Sequence, residues 1–283
     1  MTKPRIGLAL GSGSARGWSH IGVIDALVGA GIEPDIVCGT SIGALVGAVY
    51  VAGKLPALRQ WAEAATWRQI VRLLDVRLLG GGLIDGQRIV AFLRGLGVDG
   101  PIDSYARRYA AVATDLASGR EIWLRAGPIH EAVRASIALP GILTPVLIDG
   151  QWLVDGGLSN PVPVSVCRAL GADVIVAVNL NDELVGRRFG DEAAVEVPSS
   201  RPSEEILDRA MKRLPAAWRE QVRQTALRLV SSGPATPGYF HVLANSINIM
   251  QDHITRSRLA GEPPHVMLVP RLRDIGLMDF HLA

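Results

Sequence analysis

The chain has 283 residues, of which 48% are hydrophobic and 20% are charged. This composition excludes a globally disordered chain, and the length fits one large α/β domain or two small ones, of which we favour the single domain. The net charge of +2, without a dense block of lysine and arginine, argues against nucleic acid as a partner. The two cysteines, Cys38 and Cys167, lie outside any metal-type spacing, so no zinc site is expected, and so few cysteines are typical of a reducing compartment.

The sequence contains no pattern that would carry the chain across a membrane. Residues 1–5 lead into an apolar run of only about six residues, which is short for the core of a signal peptide. No stretch approaches the roughly twenty apolar residues of a membrane span. We therefore expect a cytoplasmic protein, and its charge leaves peripheral contact with the inner membrane face open.

The first fifty residues predict a strand–loop–helix–strand–helix unit. Its parts are a buried strand at 5–10, a glycine-rich loop at Gly11–Gly17, a helix at 18–30 that Gly31 ends, a second buried strand at 35–39 and a buried helix at 40–52. This order predicts a parallel sheet with helices on its faces, in which the first two strands are neighbours.

The remaining chain predicts further helices, two hairpins and a polar insertion. In chain order these are helical segments within 55–79, a glycine turn at 80–82, a helix from Asp85 to about Leu96, a hairpin of residues 109–115 and 120–124, a helix at 128–138, a hairpin of residues 146–148 and 151–154, a strand at 173–180, a loop at 181–202, amphipathic helices at 203–231, a linker at 231–238, a helix at 239–259 and a strand at 265–269.

The stretch Gly39-Thr40-Ser41-Ile42-Gly43 matches the G-x-S-x-G nucleophile elbow. In an elbow the serine lies on a strained turn, and the small residues around it let a strand and a helix approach closely. The N-terminus of that helix then faces the negative charge that develops during the reaction. Because the pattern follows a predicted strand and opens a predicted buried helix, it predicts Ser41 as a nucleophile. A tight turn with a serine N-cap is the structural alternative.

A serine nucleophile needs a base. The histidines that follow Ser41 are His130, His241, His253, His265 and His281, and none lies in a glycine-rich strand end. Asp155-Gly156-Gly157 is better placed, because it follows the second hairpin at a strand end. A carboxylate there could accept the Ser41 proton directly, and partial desolvation would raise its pKa from roughly 4. An aspartate before glycine is also common in ordinary turns, so the residues alone leave both interpretations open.

The glycine-rich loop Gly11-Ser12-Gly13-Ser14-Ala15-Arg16-Gly17 has two possible functions. A dinucleotide site of the G-x-G-x-x-G type is disfavoured, because the glycine spacing is one residue too long and the second strand ends in Gly39-Thr40-Ser41 instead of an acid. An oxyanion hole fits better, since successive amides of such a loop can converge on a carbonyl oxygen as it becomes charged. The loop and Ser41 follow neighbouring strands, which predicts that they lie side by side.

These three motifs, in this order, resemble the patatin-like phospholipase family. The stretch at 7–22 is similar to the bacterial RssA-type members, which are relatives of neuropathy target esterase, and the segments at 81–86 and 158–163 also resemble family segments. The resemblance covers roughly residues 5–180. It implies a three-layer α/β/α fold with a mostly parallel central sheet, in one domain over 1–283 that carries a helical, lid-like insertion near 181–238.

The resemblance also implies the chemistry. Ser41 would be the nucleophile and Asp155 the proton acceptor of a Ser–Asp dyad, in a lipid acyl hydrolase without a metal or a cofactor. Amides of the loop would form the oxyanion hole, with Arg16 supporting it; the residues expected there are Gly11, Ser12, Gly13 and Ser14. The expected supporting glycines are Gly17, Gly39, Gly43, Gly156 and Gly157. Many family members have glycine at the positions of Ser12 and Ser14, and a side chain there restricts the backbone.

Three questions stay open at this level. A nucleotide- or phosphate-binding protein and a catalytically weak regulatory member of the same family are the alternative functions. The basic, amphipathic segment at 206–230 suits either a membrane-surface helix pair or a helix pair packed on the body of the protein. The oligomeric state, the acyl chain and the headgroup are not indicated by any pattern.

Overall fold

The computed structural model describes residues 3–73, 75, 84–181, 239–272, 275–276 and 279–283, and for residues 239–241 and 244 the backbone alone. The chain divides into two compact units, one made of Met1–Val185 with Ile247–Ala283 and the other of Gly186–Ser246. The glycine turn at 80–82, the family segment at 81–83 and the predicted loop, helices and linker at 182–238 lie outside the described residues. The single domain with an insertion therefore stays a prediction.

Eight helices are described. They are α1 Ser19–Gly29, α2 Ile42–Val51, α3 Leu55–Ala64, α4 Trp67–Arg72, α5 Gln87–Gly95, α6 Ile129–Ser136, α7 Val164–Ala169 and α8 Tyr239–Gly261. Short 3₁₀ turns occupy Ser14–Trp18, Ile102–Ser104 and Gly156–Leu158. The first of these turns takes up part of the predicted glycine-rich loop, and α7 was not predicted from the sequence. None of the described helices is long and apolar enough to cross a membrane.

The described strands form one mixed sheet. They are β1 Ile6–Leu10, β2 Ile36–Thr40, β3 Arg108–Asp115, β4 Glu121–Leu124, β5 Val146–Ile148, β6 Gln151–Asp155, β7 Val174–Val178 and β8 Val266–Leu268. Their order is β5-β6-β3-β2-β1-β7-β8, and β4 also pairs with β3. From β3 to β8 the neighbours are parallel, whereas β4, β5 and β6 pair antiparallel. The predicted pairing of the first two strands is confirmed by Leu8 lying opposite Val37.

Side chains that alternate along the strands build two separate cores. Leu8 and Leu10 of β1 pack in a core with residues of α1, α2, α3 and α6. Ala9 of the same strand packs with Cys38 and with residues of α7 in a second core. Because successive strand residues point to opposite faces, these two cores lie on opposite sides of the sheet. Helices therefore cover both faces, and the predicted three-layer α/β/α fold is confirmed.

Candidate active site

Two strands end head to head along one edge of β3. Thr40, the last residue of β2, lies opposite Val112, and Asp155, the last residue of β6, lies opposite the next residue, Ala113. The other edge of β3 pairs with β4 over the same stretch. β2 and β6 run in opposite directions, so their carboxyl ends meet there. This sheet register brings Ser41 and Asp155 together, although they lie far apart in the sequence.

Ser41 occupies a strained turn between β2 and α2. Its backbone has φ 57° and ψ −124°, a conformation that L-residues rarely adopt. The two flanking residues must be glycine because backbone atoms pack directly against them. A Cβ on Gly39 would lie 2.4 Å from the Gly43 carbonyl oxygen, and one on Gly43 would lie 2.2 Å from the Leu10 carbonyl oxygen. The local geometry is therefore that of an elbow rather than an ordinary N-cap. The Ser41 side chain caps no amide of α2.

The Ser41 hydroxyl donates a hydrogen bond of 2.6 Å to Oδ2 of Asp155. The other carboxylate oxygen, Oδ1, accepts from the Gly157 amide at 2.7 Å. Asp155 is 1% exposed, and this burial raises its pKa to about 6, against the opposing effect of the two hydrogen bonds. A carboxyl group in this state is a stronger base than an exposed aspartate and is still largely ionised near neutral pH.

A buried serine on α6 fixes the backbone of the elbow. The Ser41 amide donates to Ser136 Oγ at 2.9 Å, and that hydroxyl donates onward to the Val112 carbonyl at 2.5 Å. Ser136 is completely buried. The strained turn is thus tied to the middle strand of the site, which is one way in which surrounding structure maintains an unfavourable backbone conformation.

The glycine-rich loop lies against the start of α2. A Cβ on Gly17 would lie 2.1 Å from Cγ1 of Ile42, and one on Gly43 would lie 2.7 Å from the Gly11 carbonyl oxygen. The prediction that the glycine-rich loop and the elbow lie side by side is therefore confirmed. Ser14 adopts φ 52°, in the left-handed region that favours glycine. Ser12 has no positive φ. Of the two serines that replace glycine in this loop, only Ser14 therefore has a strained backbone.

The structure narrows the predicted set of oxyanion donors. The Gly11 amide donates to the Val178 carbonyl at 3.0 Å and the Ser12 amide to the Pro161 carbonyl at 2.9 Å. Both amides are thereby occupied, because an N–H group carries a single hydrogen. Within the described part of the chain, the amides of Gly13 and Ser14 donate to no acceptor. In this geometry the amides of Gly11 and Ser12 are already engaged, which leaves Gly13 and Ser14 as the candidate donors, and the oxyanion hole itself stays a prediction.

The supporting residues predicted around the motifs make close contacts. Arg16 is buried, and it donates from Nε to the Ile275 carbonyl at 2.9 Å and from Nη1 to Oδ1 of Asn181 at 3.3 Å. A Cβ on Gly156 would lie 2.1 Å from the Val112 carbonyl oxygen, and one on Gly157 would lie 2.2 Å from Nε2 of Gln251. These two glycines let the chain after Asp155 pass close to β3 and to α8.

No histidine side chain that the structure describes hydrogen-bonds to Ser41. His20 donates from Nε2 to the Gly11 carbonyl at 2.8 Å, and burial lowers its pKa to about 4. His130 lies against Arg94, and Nδ1 of His265 accepts from the Ile175 amide. The side chain of His241 lies outside the described residues. The same residues contain no group of three His, Cys, Asp or Glu side chains that could hold a metal ion.

Three polar residues at the site were not singled out from the sequence. Ser136 is the last residue of α6 and Gln251 lies in the middle of α8, and no local sequence pattern marks either residue. Asn181 lies three residues after the end of β7, and its place at the carboxyl edge of a parallel sheet was a usable signal, because ligand sites gather at that edge.

Comparisons with known proteins agree with the motifs. The profile of the family described as patatin-like phospholipase matches residues 8–168. The uncharacterized NTE family protein Rv1063c of Mycobacterium tuberculosis is 34% identical over an alignment of 327 positions that covers 100% of this chain and 88% of the relative. Human patatin-like phospholipase domain-containing protein 6 is 33% identical over 200 positions, which cover 68% of this chain and 14% of the human protein.

Among solved structures, VipD from Legionella pneumophila is similar with a TM-score of 0.38 and 14% identity, over 92% of this chain and 67% of that chain. The profile match and the mycobacterial relative carry the assignment. The chain belongs to the patatin-like phospholipase family.

Proposed function

We propose that this protein is a serine acyl hydrolase that cleaves carboxylic esters of lipids, such as phospholipids or lysophospholipids, through a Ser41–Asp155 dyad. One observation carries the proposal: the hydroxyl of a serine on a strained strand-to-helix turn donates at 2.6 Å to a buried carboxylate. Membership of a family of lipid hydrolases supports the lipid as the source of the ester.

The proposed reaction has two steps that use only groups of the chain itself. Ser41 Oγ attacks the ester carbonyl while Asp155 accepts its proton, and the amides of Gly13 and Ser14 stabilise the oxyanion. Asp155 then gives the proton to the departing alcohol, which leaves an acyl group on Ser41. In the second step Asp155 takes a proton from water, the hydroxide attacks the acyl-enzyme, and Ser41 regains its proton as the fatty acid leaves.

The dyad is tested with a fluorophosphonate probe and a p-nitrophenyl acyl ester. The wild type should be labelled at Ser41, and Ser41→Ala should lose both the label and the hydrolysis. Asp155→Asn should lower kcat by about 10²–10⁴, the usual contribution of a general base. Normal hydrolysis by either variant would contradict the dyad.

The chain offers a matched control in a second Ser–Asp pair. Ser118 Oγ donates to Oδ2 of Asp115 at 2.5 Å in the turn between β3 and β4. The Ser118 backbone has no positive φ, unlike that of Ser41. The hydrogen bond from Ser118 is the largest influence on Asp115 and lowers its pKa, whereas burial dominates at Asp155 and raises its pKa. Ser118→Ala should therefore keep full labelling and full activity.

The lipid part of the proposal needs a separate measurement. Release of fatty acid from phosphatidylcholine and lysophosphatidylcholine vesicles, compared between wild type and Ser41→Ala, tests it directly. Hydrolysis of the p-nitrophenyl ester without any release from either lipid would retain the dyad and reject the lipid substrate. Peripheral contact with a membrane stays a prediction that the same vesicles can test by sedimentation.

A further inference from the structure

Ser12 fastens the glycine-rich loop to three distant parts of the chain. Its amide donates to the Pro161 carbonyl, and its hydroxyl donates to Oε1 of Gln251 at 2.8 Å. Its carbonyl oxygen accepts from Nδ2 of Asn181 at 3.4 Å. Ser12 is 2% exposed and Gln251 is 5% exposed, so solvent does not compete for these contacts. The side chain that distinguishes Ser12 from a glycine is therefore used as an anchor.

The anchoring of Ser12 determines where the next amide points. The carbonyl of Ser12 and the N–H of Gly13 belong to one trans peptide and point in opposite directions. The Gly13 carbonyl in turn accepts from the Arg16 amide at 3.2 Å, which fixes the following peptide and with it the N–H of Ser14. The two candidate oxyanion donors are thus oriented by contacts made on the opposite side of the loop.

Gln251 connects this anchor to a wider buried network. Its Oε1 also accepts from Nδ2 of Asn181 at 3.2 Å, and Oδ1 of Asn181 accepts from Arg16 at 3.3 Å. The face of α8 that carries Gln251 is buried although most of it is polar; beside Ile247, its buried members are Asn248, Gln251, Asp252 and Thr255. A helix normally buries an apolar face, and a buried polar group is costly unless it has a partner. For Gln251 the partners lie on the loop and on Asn181.

We propose that Gln251 is a positioning residue of the oxyanion hole, which acts by holding Ser12 Oγ and thereby the amides of Gly13 and Ser14. The proposal rests on the proposed function, because it assigns Gln251 a part in the same acyl transfer. Since Gln251 acts through Ser12 rather than on the reacting atoms, its loss weakens stabilisation of the tetrahedral intermediate and leaves binding of the ester largely unchanged.

The experiment compares Ser12→Ala, Gln251→Met and the double variant in the full chain. Each single variant should lower kcat about 10-fold with KM within about two-fold, because small misplacement of an oxyanion donor has large effects on rate. The Ki of an alkyl trifluoromethyl ketone should rise by the same factor, since this inhibitor forms a charged hemiketal with the nucleophile. The double variant should be no slower than either single variant, because both changes remove the same hydrogen bond.

Two controls separate positioning from folding. Thr255→Val removes a buried hydroxyl from the same helix, whose bond runs to the Gln251 backbone carbonyl at 2.7 Å, and it should leave kcat and Ki unchanged. Titration of active sites with fluorophosphonate normalises every rate to folded enzyme. If Ser12→Ala folds poorly, Ser12→Gly removes the hydroxyl without adding any contact and should give the same loss.

Unchanged kcat and Ki in the single variants would overturn the proposal, as would losses that multiply in the double variant. Failure of the proposed function would give a different experimental result. In that case the wild type itself shows neither Ser41-dependent hydrolysis nor inhibition by the ketone, whatever residue stands at position 251.

Discussion

The fold stabilises Asp155 in its neutral form, whereas the proposed reaction needs it as a carboxylate. Burial raises the pKa of Asp155 to about 6, while an unfolded chain titrates near 4. The folded state therefore binds this proton more tightly than the unfolded state does. The contribution of protonated Asp155 to the free energy of unfolding is fully present below about pH 4 and is lost as the pH rises through about 6. At neutral pH the ionised base thus destabilises the protein that uses it.

This titration predicts that Asp155→Asn is more stable than the wild type above about pH 6, by up to about 3 kcal/mol. The asparagine amide is neutral at every pH, and it can still accept from Gly157 while it donates to Ser41 Oγ. Urea unfolding at several pH values measures the difference, which should shrink to near zero at about pH 4. A stability difference that does not vary with pH would show that ionisation of Asp155 is not its source.

At the scale of single elements, α2 depends on how closely it approaches β1. A Cβ on Gly43 would meet the backbone oxygen of Leu10 at 2.2 Å, and backbone cannot move aside as a flexible side chain can. Gly22 in α1 offers the opposite case, since a Cβ there would meet nothing within 4 Å. The same substitution should therefore have opposite effects in the two helices.

Gly43→Ala should lower the free energy of unfolding by about 1–3 kcal/mol or more, because it forces α2 away from β1 and the glycine-rich loop. Gly22→Ala should raise it by about 0.5–1 kcal/mol, since alanine loses less backbone freedom than glycine when a helix forms. Thermal and urea unfolding of both variants, with the ester assay alongside, give the comparison. Equal stability of the two variants would contradict the contact between α2 and β1.

The elements that the sequence predicts correctly are those with a local signal. The elbow around Ser41 and the hairpin closed by Asp149–Gly150 are encoded by glycine positions and apolar runs within a few residues. The helix α7 lacks such a signal, because it is short and rich in valine. The occupied amides of Gly11 and Ser12 depend on the pairing of β1 with β7 and on the backbone at Pro161, which no local pattern contains. The role of Gln251 cannot be predicted from the sequence for the same reason, since the polar face of α8 that carries it is buried only in the assembled fold.

At the scale of the whole molecule, two buried titratable groups oppose each other. Burial lowers the pKa of His20 to about 4, with the Gly11 hydrogen bond acting against it, while an unfolded histidine titrates near 6.5. The contribution of neutral His20 to the free energy of unfolding is therefore fully present above about pH 6.5 and is lost as the pH falls through about 4. Asp155 has the opposite dependence over nearly the same range, so the two contributions largely cancel in the wild type.

Single variants should expose each contribution by removing the other. His20→Gln keeps an amide that can donate to the Gly11 carbonyl but cannot be protonated, so its stability should rise as the pH falls from about 6.5 to about 4, relative to the double variant with Asp155→Asn. Asp155→Asn alone should lose stability over the same range, by about 3 kcal/mol relative to that double variant. Urea unfolding of the four proteins of this cycle, at matched ionic strength, provides the test. Because groups elsewhere contribute equally to all four proteins, parallel curves for the two single variants would contradict the buried, opposed titrations of His20 and Asp155.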